Sequence, residues 1–425
     1  MQKRVLSSAI ALALTALASG TALAQSSVTI YGNVDVSLDR VKREAGTGVN
    51  ANLAAINTTL KATRVGPDLS SQSALGFKGV EDLGGGYKGN FVLEGQMSVD
   101  NGALTRDGRM FGRQAYAGLT TPFGEVRLGR QYAPIFFSSA MATTERFGGT
   151  DQFIEGGLSN SLNIRWDNAL TYSMQLGGFR GQLGYSPNAG VADVVDAERG
   201  SAGDNAGSIL GGNNSGASTE KESGRGRSWG AFGAYSIDAL TVSFGYSDTS
   251  FKGVPVYLGT TPVAQTFVFN MGEYSVWNLG AKYVLKDLGL TFNGAFGRAT
   301  YEITNANPVG VAGLLGITNG DLEVSSLVLG TRYEIGAVAF LAQWSETKFR
   351  NESRGKNHGY TLGAEYSLSK RTTLYTRWTQ LRDKGIGPAV VFSNTGIREV
   401  PPMGGAGISP EGKTSLMAIG VRHNF

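Results

Sequence analysis

Val28-Thr29-Ile30-Tyr31-Gly32-Asn33-Val34-Asp35-Val36-Ser37-Leu38-Asp39 alternates without a break. Val28, Ile30, Gly32, Val34, Val36 and Leu38 share one face, and Thr29, Tyr31, Asn33, Asp35, Ser37 and Asp39 share the other. A period of two is the side-chain repeat of a β-strand, and a run this long exceeds the five or six residues usual in soluble sheets. The pattern recurs. Phe91, Leu93, Gly95, Met97 and Val99 oppose Asn90, Glu94, Gln96 and Ser98. Leu162, Ile164, Trp166, Leu170, Tyr172, Met174 and Leu176 oppose Asn163, Arg165, Asp167, Thr171, Ser173 and Gln175. Leu240, Val242, Phe244 and Tyr246, and again Tyr360, Leu362, Ala364 and Tyr366, repeat it further on.

The connections alternate too. Asp82 to Gly86, Gly177-Gly178, Lys286 to Gly289 and Leu368 to Arg371 are short turns, whereas Pro187 to Gly226, Phe251 to Gly272 and Asp383 to Gly412 read as long polar loops. Strands of about ten residues with short turns at one end and long loops at the other predict an all-β, transmembrane antiparallel β-barrel of about 16 strands. Hydrocarbon offers backbone N–H and C=O groups no water, so only helices and closed barrels can span it. Tyr31, Tyr87, Tyr116, Trp166, Tyr172, Trp277, Tyr283, Trp344, Tyr360, Tyr366 and Trp378 lie towards strand ends, where amphipathic rings favour a bilayer interface.

Composition agrees. The 425 residues are 41% apolar, yet mean hydropathy is −0.11, because a barrel needs only every second residue to be apolar. No stretch beyond residue 24 approaches the ~20 apolar residues of a membrane helix. With 62 Gly, 11 Pro, no Cys and 2 His, the chain excludes disulfide scaffolds, cysteine-based metal sites and cysteine nucleophiles. Lys3 and Arg4, the apolar run Ile10 to Leu17 and Ala22-Leu23-Ala24 predict a secretory signal peptide over residues 1–24, with the barrel over 25–425. Loss of Lys3 and Arg4 with that leader lowers a formal net charge of +4 by two, too thin a surplus to imply nucleic acid as a partner.

Several stretches then carry a family resemblance. They are Val28 to Gly32, Leu75-Gly76-Phe77-Lys78-Gly79-Val80-Glu81-Asp82-Leu83-Gly84-Gly85-Gly86, Arg113-Gln114-Ala115-Tyr116-Ala117-Gly118-Leu119, Phe123 to Gln131, Tyr366 to Tyr375, and the terminal Gly420-Val421-Arg422-His423-Asn424-Phe425. The chain resembles the general trimeric porins of Gram-negative outer membranes, in particular the neisserial and Burkholderia-type porins. The resemblance implies a homotrimer with a water-filled pore in each protomer, short periplasmic turns, long external loops, and a third loop folded into the pore. It implies as partners outer-membrane lipid and lipopolysaccharide, the outer-membrane assembly machinery, and small ions and hydrophilic solutes, with no cofactor. Phe425, preceded at alternate positions by Val421, Ile419 and Met417, resembles the family's assembly signal.

Selectivity in such a pore is electrostatic filtering by charged side chains in a narrow wet passage. Arg113 and Arg165 match the family's basic wall, and Lys78 shares the polar face opposite Leu75 and Phe77. Positions where such porins often carry further basic residues hold Ala74 and Asn33. The candidate constriction loop, about Ala133 to Asn160, adds Glu145, Arg146, Asp151 and Glu155. The expectation is a general diffusion porin with slight anion preference, which Asp35, Asp151 and Glu155 oppose; the alternative is a substrate-specific sugar or anion channel of the same barrel type. A phospholipase is the enzymatic rival. No nucleophile elbow accompanies His358 or His423, so no catalytic or metal-binding residue is assigned.

Overall fold

The computed structural model describes residues 27–44, 59–67, 69–104, 109–144, 165–189, 226–258, 266–306, 319–350, 355–384 and 412–425. The predicted signal peptide lies outside them.

Burial along the first strand is inverted relative to a soluble protein. Val28, Ile30 and Leu38 are 66%, 61% and 56% exposed, while Asp35, Ser37 and Asp39 are at most 3% exposed. Large apolar side chains crowd the outside of nearly every strand, from Phe244 and Leu279 to Phe340, Leu362 and Ile419. Such a surface is stable only against lipid.

In chain order the strands are β1 (Ser27–Glu44), β2 (Leu60–Pro67), β3 (Ala74–Gly84), β4 (Tyr87–Gln96), β5 (Gln114–Thr121) and β6 (Gly124–Tyr132). Helix α1 (Pro134–Met141) follows, then β7 (Arg165–Leu176), β8 (Phe179–Ser186), β9 (Arg227–Ile237), β10 (Leu240–Leu258), β11 (Thr266–Leu285) and β12 (Leu290–Thr304). The chain ends with β13 (Gly320–Ile335), β14 (Val338–Arg350), β15 (Lys356–Ser367), β16 (Thr372–Lys384) and β17 (Lys413–Asn424). All pair antiparallel with their neighbours in one sheet of 17 strands. β2 and β3 both flank the same side of β1, Arg43↔Leu60 to Val36↔Pro67 and then Asn33↔Ala74 to Ser27↔Val80, so they form one interrupted rung. The ring therefore has 16 positions, and the other side of β1 closes it on β17. Closure on β17 pairs both sides of β1. At the seam Gly32 and Phe425 exchange two backbone hydrogen bonds, of 3.2 and 3.0 Å.

Seven short turns, Ser27 and Phe425 share one end of the barrel. The β3–β4 turn uses Gly84, Gly85 and Gly86 at φ of 81°, 61° and 85°, a region costly to any residue with a Cβ. One expected loop is shorter than the sequence suggests. The connection placed over Phe251 to Gly272 is mostly strand, because β10 runs to Leu258 and β11 starts at Thr266. β10 to β13 outrun the roughly 9–11 residues that cross hydrocarbon. Their loop ends revert to the rule of soluble proteins: on β12, Phe292 and Phe296 face outward low on the strand, whereas higher up Ala299, Tyr301 and Ile303 are buried and Glu302 is exposed.

Aromatic placement also departs from expectation. Tyr87, Tyr283, Tyr366 and Trp378 are exposed on the outer face. Tyr31 and Tyr116 instead face inward, Tyr31 bonding Glu94 and Tyr116 lying 4.9 Å from Arg127. Trp166, aligned by parity with outward Leu170, is fully buried against Gly184 and Gly230. A register shift between Gly129 and Gln131, with Asn168 at φ 51°, re-aims the end of β7.

Candidate functional site

Among the described residues, two segments enter the barrel. The first is the start of the long β6–β7 connection, where Pro134 opens α1 at a position that needs no backbone N–H. The helix crosses the interior and packs on β8 to β11. Its seat is a row of wall positions without side chains. A Cβ at Gly245 would meet Ser138 Cβ at 2.8 Å and Ile135 Cδ1 at 2.9 Å, and one at Gly280 would collide with Ala142. Hydrogen bonds fasten it. Ser243 Oγ donates to Ser138 O at 3.2 Å, Asn293 Nδ2 to Ala142 O at 2.8 Å, and Thr144 N–H to Gln343 Oε1 at 3.1 Å.

The second segment is the break between β2 and β3. Ser70 and Ser71 donate backbone N–H bonds of 3.0 and 2.7 Å to Asp35 Oδ2, and Tyr375 OH donates to Asp35 Oδ1 at 2.5 Å. Leu69 is buried with Val41, Tyr375, Leu381, Leu416 and Ala418 in a small apolar cluster within the barrel. β1 and β17 stand half a turn round the ring from β9 and β10. Helix α1 and residues 69–73 therefore face each other across the lumen and narrow it from opposite sides. Asp35, taken from the sequence as a charge opposing anions, is instead a fully buried cap for this segment.

Between them the wall of β3 to β7 carries a continuous polar chain. Lys78 Nζ lies 4.9 Å from the Tyr31 ring, and Tyr31 OH donates to Glu94 Oε2 at 2.8 Å. Arg113 gives Nε to Glu94 Oε1 at 2.5 Å, Nη1 to Gln72 Oε1 at 2.6 Å and Nη2 to Tyr132 OH at 2.9 Å. Arg165 Nη2 donates to the same Tyr132 oxygen at 2.9 Å, with its guanidinium 4.5 Å from the Tyr132 ring. Tyr132 stacks in turn on Phe136 of α1, at 4.1 Å between centroids, coupling the wall to the constriction. Arg113, Arg165 and Lys78, singled out separately in the sequence, thus belong to one network. Charge-assisted bonds of this kind hold a guanidinium in one orientation.

The other predicted constriction residues, Glu145, Arg146, Asp151 and Glu155, lie outside the described residues. Sequence reasoning missed Glu94, Gln72 and Tyr132 as members of the network. Glu94 was legible as a carboxylate on the polar face of its strand, but nothing local in the sequence brings Gln72 or Tyr132 to Arg113. Ala74 and Asn33, the two positions expected to lack basic residues, lie where residues 69–73 enter: Asn33 Nδ2 donates to Ser71 Oγ at 2.8 Å and to Gln72 O at 2.9 Å. Further lumen carboxylates also hold arginines. Asp39 accepts from Arg64 at 2.9 Å, and Glu365 from Arg377 at 2.6 Å and Arg332 at 2.9 Å. At the terminus, Ile419 is 64% exposed to lipid, and Val421 precedes the Phe425 seam on the same strand.

Residues 9–385 match the Gram-negative porin family. Outer membrane porin protein 32 of Delftia acidovorans is 27% identical, with 98% of this chain and 99% of that one covered. Major outer membrane protein P.IB of Neisseria meningitidis is 33% identical over 29% of this chain and 33% of its own. Among solved structures, an anion-selective porin from Comamonas acidovorans superimposes with a TM-score of 0.62 at 23% identity, covering 94% of this chain and all of that one.

Proposed function

Since the chain belongs to the Gram-negative porin family and lies in the outer membrane as a diffusion pore, we propose that its lumen passes small hydrophilic solutes with a mild preference for anions. The observation that carries this reading is the network on β3 to β7. Among the described residues, three cations, Arg113, Arg165 and Lys78, gather round one carboxylate, Glu94. Lys282, exposed on the lumen face beside Asn293, forms no ion pair among the described residues. Among the described residues the acids Asp39 and Glu365 are each matched by arginine, so the charges of this wall sum to a small positive excess.

Reversal potentials in planar bilayers under a KCl gradient test the sign, and a cation-selective reading overturns it. The preference weakens as salt rises, since the Debye length falls from about 10 Å at 0.1 M to about 3 Å at 1 M. Glu94→Gln keeps an acceptor for Arg113 Nε and removes the negative charge. It raises the chloride-to-potassium permeability ratio about twofold at 0.1 M, the scale of one charge a few ångströms from a wet path. An unchanged ratio would take Glu94 and its partners out of the permeation route.

The leader over residues 1–24, the assembly role of Phe425, Val421 and Ile419, contact with lipopolysaccharide and a homotrimeric state belong to the same proposal. Slower migration of unboiled than boiled protein, collapsing to one band on heating, is the expected electrophoretic result; a monomer-sized unboiled band argues against the trimer. The relatives are channel proteins, and no reaction is assigned to His358 or His423.

A further inference from the structure

Beneath α1, towards the turn end, the lumen wall of β5 to β9 opens into a cavity of about 310 Å³. Its upper wall is aromatic. Phe137 projects from the helix to within 5.9 Å, centroid to centroid, of Phe232, a buried lumen-facing residue of β9. Its lower wall is basic and polar, formed by Arg127, Arg180 and Gln182. Arg180 is exposed to the cavity and forms no ion pair among the described residues. The carboxylate here, Glu125, is already occupied, accepting from Arg127 Nη2 at 2.5 Å and Asn90 Nδ2 at 2.9 Å. Two buried polar atoms of the lining, Arg127 Nε and Gln182 Oε1, have no hydrogen-bond partner among the described residues.

We propose that this cavity is a transit site for small aromatic carboxylates. The apolar ring lies against Phe137 and Phe232, and the carboxylate meets Arg180, with the Arg127 guanidinium in the same wall. Both halves of the ligand are required. An aliphatic anion lacks the body that displaces water from the two rings, and an aromatic amine brings its charge to the arginines while Glu125 is engaged. The site also lies in series with the Arg113 network, so an anion drawn past Lys78 and Arg165 encounters it on the same path. The proposal rests on the pore reading above and narrows it to one solute class.

Benzoate is the probe, added to the purified protein in a planar bilayer carrying chloride current in dilute KCl. Saturable block by benzoate is expected, with acetate and benzylamine at equal concentration leaving the current unchanged. Arg180→Gln should raise the half-blocking concentration about tenfold, close to 1.4 kcal/mol, with each variant normalised to its own KCl current. Phe137→Leu, which keeps apolar bulk without the ring, should weaken block several-fold. Equal block by acetate or benzylamine, or block unaltered in Arg180→Gln, overturns the proposal. Saturation-transfer NMR of benzoate with the detergent-solubilised barrel reads binding independently of current. Absence of any KCl conductance refutes the pore reading, whereas a conducting pore that shows neither block nor transfer refutes only the aromatic-carboxylate site.

Discussion

Leu183→Arg destabilises the barrel in a lipid bilayer by about 2–4 kcal/mol, while Arg180→Gln, three residues earlier on β8, changes stability by less than about 1 kcal/mol. The contrast follows from strand parity alone. Leu183 is 60% exposed, lies opposite Tyr172 and Ala231, and has Phe179 and Tyr185 at the outward positions towards either end of its strand. That places it near the middle of the hydrocarbon, where an arginine has neither water nor a partner. Arg180 faces the lumen, exposed and without an ion pair among the described residues, and lines the same cavity as Arg127. An uncharged amide there meets water. Urea titration of folding into phospholipid vesicles, read by the heat-dependent shift in gel mobility, measures both. Equal destabilisation by the two variants would show that β8 has been assigned the wrong faces.

Gly245→Leu is expected to cut single-channel conductance at least about twofold while leaving the barrel folded. The wall position beneath α1 has no room for a side chain, since even a Cβ would stand 2.8 Å from Ser138 Cβ and 2.9 Å from Ile135 Cδ1. Interiors yield little to such overpacking, and the softer element moves. The wall of β9 to β11 is tied by continuous ladders, whereas α1 has two turns and few bonds. Pro134 ties the helix to β6 at one end, and Gln343 and Asn293 hold it at the other. It is therefore lifted inward, towards residues 69–73, and the passage narrows. Conductance equal to that of the unaltered protein would mean that α1 does not rest on Gly245. Phe244→Leu, the adjacent outward position, serves as the control and should conduct normally.

These two substitutions differ in how far they could have been read without coordinates. Every face assignment behind the Leu183 prediction follows from alternation, because a strand has only two sides and lipid tolerates only one kind of residue. Alternation failed where the backbone departs from a period of two. The shift at Gly129 and Asn168 turned Trp166 inward, and the break after Pro67 hid an inward segment inside what reads as continuous polar sequence. Strand length was also underestimated at β10 and β11. Beyond the membrane the apolar side turns back inward, and the lipid pattern that marks a strand is lost.

The candidate site was legible in its charges and illegible in its pairing. Arg113, Arg165 and Lys78 could be named because each lies on the polar face of a recognisable strand. That they share Glu94 and the Tyr132 hydroxyl depends on contacts over 19 to 63 residues of sequence, from Arg113–Glu94 at the short end to Tyr31–Glu94 at the long. Asp35 shows the same divide from the other side: its type suggested a pore charge, and only its serine and tyrosine partners reveal a structural cap.

The amino-acid sequence by itself determined the membrane-spanning barrel, its approximate strand number and the lumen-facing set, because those follow from a local repeat imposed by lipid on one side and water on the other. The tertiary structure alone decided what the lumen is: where α1 finds its glycine seat, where residues 69–73 enter opposite it, and which cations are matched by carboxylates. Those properties arise between segments far apart in the chain, and side-chain periodicity carries no record of them.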